Sequence, residues 1–231
     1  MKTTFLLLTL LLPNFLIAQT RFALKAGLNG ASVSIKQNNT SLTGETSERG
    51  GAFHITGLID IPLREPFFIQ PALSLTQKGF SLYTHQFDYN YSGNNNFNEY
   101  TQLIKSKYSY LEVPVNFVAK FNLGKGKFAI GVGPYISYGL LGTAKTTFIT
   151  TTYNASGGQQ NSSTTENSEK VFSEKGFKRL DAGMTSLLGY QFKKGLFLEI
   201  GSDSGLTNIA NNKDAGSIKN RVYSLSVGFF F

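Results

Sequence analysis

Nine ionisable residues of both signs recur on the polar side of alternating segments and could form a network of ion pairs. They are Lys25, His54, Asp60, Lys78, Glu112, Lys120, Arg179, Asp181 and Glu199. Because a buried charge is costly unless it is paired, this arrangement predicts salt bridges that fill an enclosed space. We expect four of these side chains to form one network: Glu112, Arg179, Asp181 and Glu199. The alternative chemistry is a narrow gated pore or a small-ligand site.

Residues for catalysis or metal binding are sparse. An acyl hydrolase needs a hydroxyl nucleophile, a His base and an orienting acid in one cluster. The chain has two His, of which His54 lies in a strand-like segment and His85 lies near Asp88 in a Tyr- and Asn-rich segment. It has no Cys, no phosphate-binding loop and no zinc-ligand spacing, and Asp203 and Asp214 are too sparse for a Ca²⁺ site. We expect no catalytic residue, no cofactor and no metal.

A second candidate set is aromatic and lies in a long polar segment rich in Asn and Gly. Its members are Tyr83, Phe87, Tyr89, Tyr91, Phe97 and Tyr100. Aromatic and amide side chains on an exposed loop are suited to stacking on sugars or to protein contact. The other interpretation is an aromatic girdle where strands leave a bilayer.

The N-terminal residues MKTTFLLLTLLLPNFLIAQT have the three regions of a secretory signal peptide. Lys2 supplies the positive charge, an uncharged apolar run follows, and Ala18 is the small residue that precedes cleavage. The apolar run is shorter than the roughly 20 residues that a spanning helix needs. We therefore expect residues 1–18 to be removed and residues 19–231 to form one exported domain.

The remaining chain is predicted to form eight strands, because apolar and polar side chains alternate with a period of two. The clearest case is Ser109 to Phe121, in which Leu111 and Val113 share one face while Glu112 lies on the other. Near the N-terminus the apolar positions change phase, so that Ala31, Val33 and Ile35 are apolar. A bulge at Gly30 would explain this change.

The connections between these strands alternate between short and long. Short turns are predicted at residues 62–66, 122–126 and 193–195, and long polar segments at residues 37–49, 83–106, 150–176 and 207–219. Many strands exceed ten residues, whereas strands of globular proteins usually have about five or six. Strand length, loop asymmetry and the signal peptide favour a transmembrane barrel over a soluble β-sandwich.

We therefore predict an all-β fold: a closed eight-stranded antiparallel up-and-down transmembrane β-barrel. Lipid offers no hydrogen bonds to an open edge, so the first strand must pair with the last. Apolar rows would face lipid and charges would face the lumen. In the terminal strand the outward row would be Tyr223, Leu225, Val227, Phe229 and Phe231.

Several segments resemble the PorT-like outer-membrane β-barrel proteins of Bacteroidetes. They are FALKAGLNGAS, YLEVPVNFVAKF, GVGPYISYGL, FKRLDAGMTSLLGYQF, GLTNI and the terminal YSLSVGFFF. The resemblance spans the chain after the signal peptide and implies an eight-stranded barrel in the outer membrane, without implying one activity. The family's namesake acts in protein secretion and gliding. The aromatic terminus also resembles the signal that the barrel assembly machinery reads.

The formal net charge is +8, but Lys and Arg are scattered, so we expect no nucleic-acid partner. The expected partners are outer-membrane lipid, the barrel assembly machinery and a secretion-system or surface partner, with the barrel itself monomeric. The expected role is non-enzymatic: structural, surface-interaction or secretion-accessory. The alternatives are a narrow porin and, more remotely, a barrel-embedded lipid hydrolase.

Overall fold

The computed structural model describes residues 20–36, 48–89, 97–154, 156–174, 176–212 and 216–231, so the predicted signal peptide lies outside the described residues. Nine antiparallel strands follow one another: β1 (Arg21–Lys36), β2 (Glu48–Arg64), β3 (Phe67–Tyr89), β4 (Phe97–Leu123), β5 (Gly126–Tyr153), β6 (Gln159–Lys170), β7 (Leu180–Phe192), β8 (Leu196–Gly205) and β9 (Ser217–Phe230). No helix among the described residues is long and apolar enough to cross a membrane.

Eight of the strands close into a ring in the order β4–β3–β2–β1–β9–β8–β7–β5, and β5 pairs with β4 to complete it. Strand β1 pairs with β9 from Ala23 opposite Phe230 to Lys36 opposite Ser217. The Phe231 N–H also donates a hydrogen bond to the Phe22 carbonyl at 2.8 Å. The predicted closed eight-stranded barrel, with its first strand paired to its last, is confirmed.

The two faces of the ring have opposite chemistry. On β4, Leu111, Val113 and Phe117 are 40%, 42% and 56% exposed on the outside. The intervening Glu112 and Lys120 are buried on the inside. A soluble sandwich would bury the apolar face in a core between two sheets, so this arrangement excludes it. An apolar exterior around a polar lumen is the arrangement that lipid requires.

The bulge expected at Gly30 is absent, since β1 pairs without interruption with both neighbours across that residue. Ala31 and Val33 instead stay on the lumen face and are buried. Val33 belongs there to an apolar cluster inside the ring that also includes Phe80 and Tyr108. A real irregularity occurs in β5, where Ser109 of β4 pairs with Leu141 and Tyr110 pairs with Gly139. Leu140, skipped in the pairing, and its neighbour Leu141 are therefore both exposed on the outside.

Two of the segments predicted as long loops, residues 83–106 and 150–176, are largely strand. Strands β3 and β4 remain paired up to Tyr89 opposite Phe97, and β5 continues to Tyr153. Strand β6, a ninth strand that alternation did not reveal, pairs with the outer part of β5. The projecting parts form what we call the hairpin sheet: residues 82–89, 97–107, 143–153 and 159–170. The opposite end of the ring, the turn end, has the three short predicted turns.

Candidate functional site in the lumen and the hairpin sheet

Lys78 is the centre of the ionic network in the lumen. Its Nζ lies 2.8 Å from Glu112 Oε2 and 3.8 Å from Asp181 Oδ2, and its side chain is 1% exposed. The ammonium also lies 5.1 Å from the Tyr110 ring centre and 4.8 Å from that of Tyr135. Two carboxylates and two aromatic faces therefore replace the water that this charge loses on burial.

Asp181 connects this cation to the connection between β8 and β9. Thr207 Oγ1 donates a hydrogen bond of 2.7 Å to Asp181 Oδ1, and Asn220 Nδ2 donates one of 2.8 Å to Oδ2. The Tyr108 hydroxyl in turn donates to Asn220 Oδ1 at 2.7 Å. These bonds satisfy the carboxylate on both oxygens and fix side chains from several strands in one network.

A second ionic cluster lies nearer the turn end, around Asp60. Its carboxylate accepts hydrogen bonds from Lys120 Nζ at 2.6 Å, Arg21 at 2.8 Å and Gln70 Nε2 at 2.8 Å. Both cations also lie over the Phe230 ring, at 4.8 Å and 4.7 Å from its centre. Alternation did not single out Arg21, although this residue lies two and four positions before Ala23 and Lys25 and so shares their lumen-facing side of β1.

Between these clusters, Lys25 pairs with Glu199 beside a cavity of about 50 Å³. Glu112 and Asp203 also line this cavity. Asp203, for which the sequence indicated no Ca²⁺ site, lies on β8, opposite Val222 of β9. Among the described residues no group of three or more His, Cys, Asp and Glu side chains is arranged to hold a metal ion.

His54 forms a hydrogen-bonded chain with Asn29 and Ser226. His54 Nδ1 lies 2.7 Å from Asn29 Oδ1, and Ser226 Oγ lies 3.0 Å from His54 Nε2. Asn29 Nδ2 donates to Thr76 Oγ1 and to the Gln77 carbonyl, both at 3.0 Å, so Asn29 Oδ1 is left to accept from the imidazole. His54 therefore carries its proton on Nδ1 and accepts from Ser226 on Nε2.

This order, hydroxyl, imidazole and amide, is that of a nucleophile, a base and an orienting group. Unlike the nucleophile of a hydrolase, the Ser226 hydroxyl is not accessible to a substrate, because Ser226 is 2% exposed inside the barrel. The adjoining cavity of about 50 Å³ is far below the roughly 300–1,000 Å³ of small-molecule sites. The chain of hydrogen bonds satisfies buried polar groups on β1, β2 and β9, which is a structural role.

An aromatic plug fills the lumen on the hairpin side. Its members are Val33, Phe80, Tyr108, Tyr110 and Val171, with Phe172 and Phe177 packed against them. The rings meet at centroid distances of 5.7 Å for Tyr108 and Phe177 and 5.5 Å for Tyr110 and Phe172. Val171, Phe172 and Phe177 come from the connection between β6 and β7, so this segment folds into the barrel mouth.

Arg179 does not belong to the lumen network, which corrects the prediction. It precedes the first residue of β7, so the alternation of that strand does not orient it, and it is exposed. Its Nη1 donates to the carbonyls of Gly139 at 2.6 Å and Leu140 at 3.0 Å. The guanidinium also lies 5.3 Å from the Phe172 ring centre. The other eight members of the predicted set lie inside the ring, in the clusters described above.

The aromatic candidates divide between the two faces of the hairpin sheet. Tyr83, Phe87 and Phe97 share its outer face, which continues the lipid-facing side of the ring, and Tyr100 lies on the opposite face. Tyr89 ends β3 opposite Phe97, and Tyr91 lies outside the described residues.

The outer face also carries a polar group that alternation alone did not reveal. Glu99 lies between His85, whose Nε2 is 2.5 Å from Oε1, and Tyr153, whose hydroxyl donates to Oε2 at 2.8 Å. The hydrogen bond from Tyr153, which has the larger effect, and the one from His85 lower the pKa of Glu99 from its ordinary value. The partner of His85 is thus Glu99 rather than Asp88. Rings flank this group, with Phe97 stacked on Tyr153 at 4.8 Å.

Comparison with known proteins agrees with a closed ring that has an apolar exterior. A model of the outer membrane protein beta-barrel domain family matches residues 17–211. The chain belongs to this family. As a member of the outer membrane protein beta-barrel domain family, it lies in the outer membrane with its apolar rows against lipid.

Two solved structures are similar to this chain. Ail, the attachment invasion locus protein of Yersinia pestis, is 12% identical over 91% of this chain and 98% of its own, with a TM-score of 0.39. Neisserial surface protein A is 13% identical over 91% of this chain and 97% of its own, with a TM-score of 0.37. No curated protein matches the sequence.

Proposed function

We propose that this barrel is a non-conducting, non-enzymatic protein of the outer membrane that acts at the cell surface through its hairpin sheet. The observation that carries the proposal is the continuation of β3, β4 and β5, joined by β6, beyond the closed ring. In outer-membrane barrels the short turns face the periplasm and the long connections face outward. The hairpin sheet would then stand above the outer leaflet.

Strand β6 supports a role in binding. All twelve of its residues are exposed, and within the described part of the chain it pairs with β5 alone. From Asn161 to Lys170, the edge of β6 that faces away from β5 has no strand partner among the described residues, and such an edge can accept an extended segment of a partner. Nine of its twelve side chains are uncharged and polar (Ser, Thr, Asn and Gln), and its charged residues, Glu166, Glu169 and Lys170, lie in its second half.

The filled lumen supports a barrel that does not conduct, against the narrow-porin alternative. An eight-stranded ring is just wide enough to be filled by side chains. Here the Lys78 and Asp60 clusters occupy the polar part, and the aromatic plug occupies the hairpin side. Ions would have to break buried charge pairs to pass.

The burial of Ser226 supports the absence of hydrolase activity, because no ester could reach its hydroxyl without the ring opening. A role as an accessory in protein secretion is the second candidate. It is supported by the resemblance of segments such as Tyr110 to Phe121 to PorT-like barrels. Loss of secreted proteins from the cell surface after gene deletion would favour this form of the proposal.

The test removes the part of the hairpin sheet that β5 and β6 form, which carries the free edge, and keeps the ring and the paired ends of β3 and β4. Lys145 and Ser168 are directly paired, so a two-residue Asn-Gly turn can join them in place of residues 146–167. The matched control shortens another connection, residues 37–47 between β1 and β2. Both variants should reach the membrane and migrate as folded barrels on unheated gels.

We expect the control variant to restore the surface phenotype of a deletion strain and the hairpin-shortened variant to leave it unrestored. In a separate measurement, we expect the wild-type barrel to give no openings in planar bilayers. Full restoration by the hairpin-shortened variant would refute the surface role. Discrete openings of the wild-type barrel would instead favour the pore.

A further inference from the structure

Four lysines form a basic patch on the outer face where the hairpin sheet leaves the ring. They are Lys105 and Lys107 of β4, Lys145 of β5 and Lys170 of β6, and all are exposed. Lys105 lies directly opposite Lys145. Lys107 and Lys170 both pair with Thr143, which places them in one row across three strands.

The patch is electrostatically unfavourable as it stands. Like charges directly opposite each other on a sheet repel. Lys145 has a partner in Glu166, at 2.8 Å, but this pair is half exposed and such pairs contribute little. No ion pair of Lys105 or Lys107 occurs among the described residues. An anion placed between Lys105 and Lys145 would offset their repulsion.

The height of the patch indicates which anion can reach it. The outward apolar row of β4 ends at Leu111 and that of β5 at Leu141, and Lys107 and Lys145 each lie four residues farther out. At about 3.3 Å per residue and about 40° of strand tilt, four residues rise about 10 Å. The headgroup region extends about 5–8 Å beyond the hydrocarbon, which flexible lysine side chains can reach.

Farther out, the same face becomes aromatic and polar. The Tyr83 ring lies 6.1 Å from His85, which lies 4.6 Å from Phe87. Beside them, Phe97 stacks on Tyr153. Exposed rings beside a carboxylate such as Glu99 are suited to stacking on sugar rings and accepting hydrogen bonds from their hydroxyls. The face is therefore apolar, then basic, then aromatic.

We propose that this face binds a phosphorylated glycolipid of the outer leaflet. Its acyl chains lie against the apolar rows of β4 and β5, a phosphate lies among Lys105, Lys107 and Lys145, and its sugars stack on the aromatic layer. The order of the three layers on the protein matches the order of the three parts of such a lipid. The site rests on the orientation proposed above, with the hairpin sheet facing outward, but it does not depend on a partner at the edge of β6, since it uses the outer face of the sheet.

The experiment compares Lys105→Gln/Lys107→Gln/Lys145→Gln with a control triple at the turn end, Lys125→Gln/Lys193→Gln/Lys194→Gln. Both remove three exposed positive charges. Each purified barrel, in zwitterionic nanodiscs, is titrated with bisphosphorylated lipid A, with its dephosphorylated form and with inorganic phosphate. We expect the patch triple to bind lipid A at least tenfold more weakly and the control triple to bind it like wild type. Dephosphorylated lipid A should bind at least tenfold more weakly to wild type, and inorganic phosphate should not compete at millimolar concentration.

Equal affinity of the patch triple and wild type would overturn the proposal, as would equal binding of dephosphorylated lipid A. Competition by inorganic phosphate would show a site for free phosphate instead of a lipid. Lys105→Glu separates binding from folding. It would form a favourable cross-strand pair with Lys145 and repel the phosphate, so a folded barrel with weakened lipid binding is expected. A folded Lys105→Glu barrel with undiminished affinity would also overturn the proposal.

Discussion

Lys78 Nζ lies 2.8 Å from Glu112 Oε2, although the two residues do not face each other across the β3–β4 ladder. Lys78 is opposite Tyr108 and Glu112 is opposite Ser74, so the lysine side chain reaches four residues along the lumen to meet the carboxylate. The pair therefore connects successive levels of the lumen rather than neighbouring positions on one level. A network of this kind stabilises the ring along its axis.

Replacing Lys78 with Met is expected to lower the free energy of unfolding by about 3–5 kcal/mol, because Glu112 and Asp181 would stay buried without their cation. Urea titration in detergent micelles, followed by circular dichroism, measures the loss. Adding Glu112→Gln should recover part of it. Lys125→Ala is the control, since this exposed residue of the turn between β4 and β5 should contribute less than about 1 kcal/mol. A Lys78→Met barrel as stable as wild type would contradict this account of the lumen.

Gly139 and Phe172 are expected to be coupled, because a Cβ on Gly139 would lie 2.3–2.9 Å from three atoms of the Phe172 ring. Gly139→Ala should therefore destabilise the barrel by about 1–3 kcal/mol through overpacking. In the Phe172→Ala background the same substitution should cost less, which a double-mutant cycle detects. Gly51→Ala, where no atom lies within 4 Å of the new Cβ, controls for the loss of a glycine. Additive effects of the two changes would contradict the contact.

The carboxyl of Glu99 should titrate below its ordinary pKa of 4.5 because Tyr153 and His85 hydrogen-bond to its ionised form. A lowered pKa in the folded state means that the stabilisation is complete above pH 4.5 and is lost as the pH falls through the lowered value. Carbon NMR of the Glu99 carboxyl gives the pKa directly. Tyr153→Phe should raise it more than His85→Gln does. An unchanged pKa in Tyr153→Phe would show that the hydrogen bond is not made.

Deleting Phe231 is expected to hinder assembly in the cell more than it weakens the finished barrel. The Phe231 side chain is 71% exposed, and its ring contacts that of Phe229 at 5.5 Å. Refolding the truncated chain into detergent and measuring its urea midpoint gives the stability, and fractionation of cells gives the inserted amount. Normal insertion of the truncated chain would contradict a role in assembly. Deleting a residue from the connection at 37–47 is the control for shortening the chain.

Much of the fold follows from the sequence because, along each long strand, every second residue stays on the same face of the sheet. Residues such as Glu112 and Lys120 could be assigned to the lumen without knowledge of their partners. This alternation does not predict which charged side chains form ion pairs, because the pairing depends on the stagger between neighbouring strands. Glu112 was expected near Arg179, and its partner is Lys78. Alternation also cannot orient a residue such as Arg179, which lies outside a strand.

The errors near Gly30 and in the long connections arise where the two faces of a strand do not meet lipid on one side and a polar lumen on the other. Alternation was interpreted as apolar-out and polar-in along the whole chain, but Val33 and Tyr108 point into an apolar region of the lumen. Above the ring, both faces of β5 and β6 contact water. Thr and Ser therefore occupy both faces, and the sequence shows no alternation of apolar and polar residues. Ser226 was missed as a partner of His54 because the two residues come from strands far apart in the sequence.

The pairing of β1 with β9 makes closure of the ring depend on two strands that are far apart in the chain. Of the described strands, these two lie farthest apart in the chain, and fourteen residue pairs join them. A chain interrupted before Ser217 would therefore expose two open sheet edges, which a bilayer does not tolerate. A ring that lacks either strand should therefore not insert stably, so the pairing of β1 with β9 ties the place of this chain in the bilayer to contacts between its most distant strands.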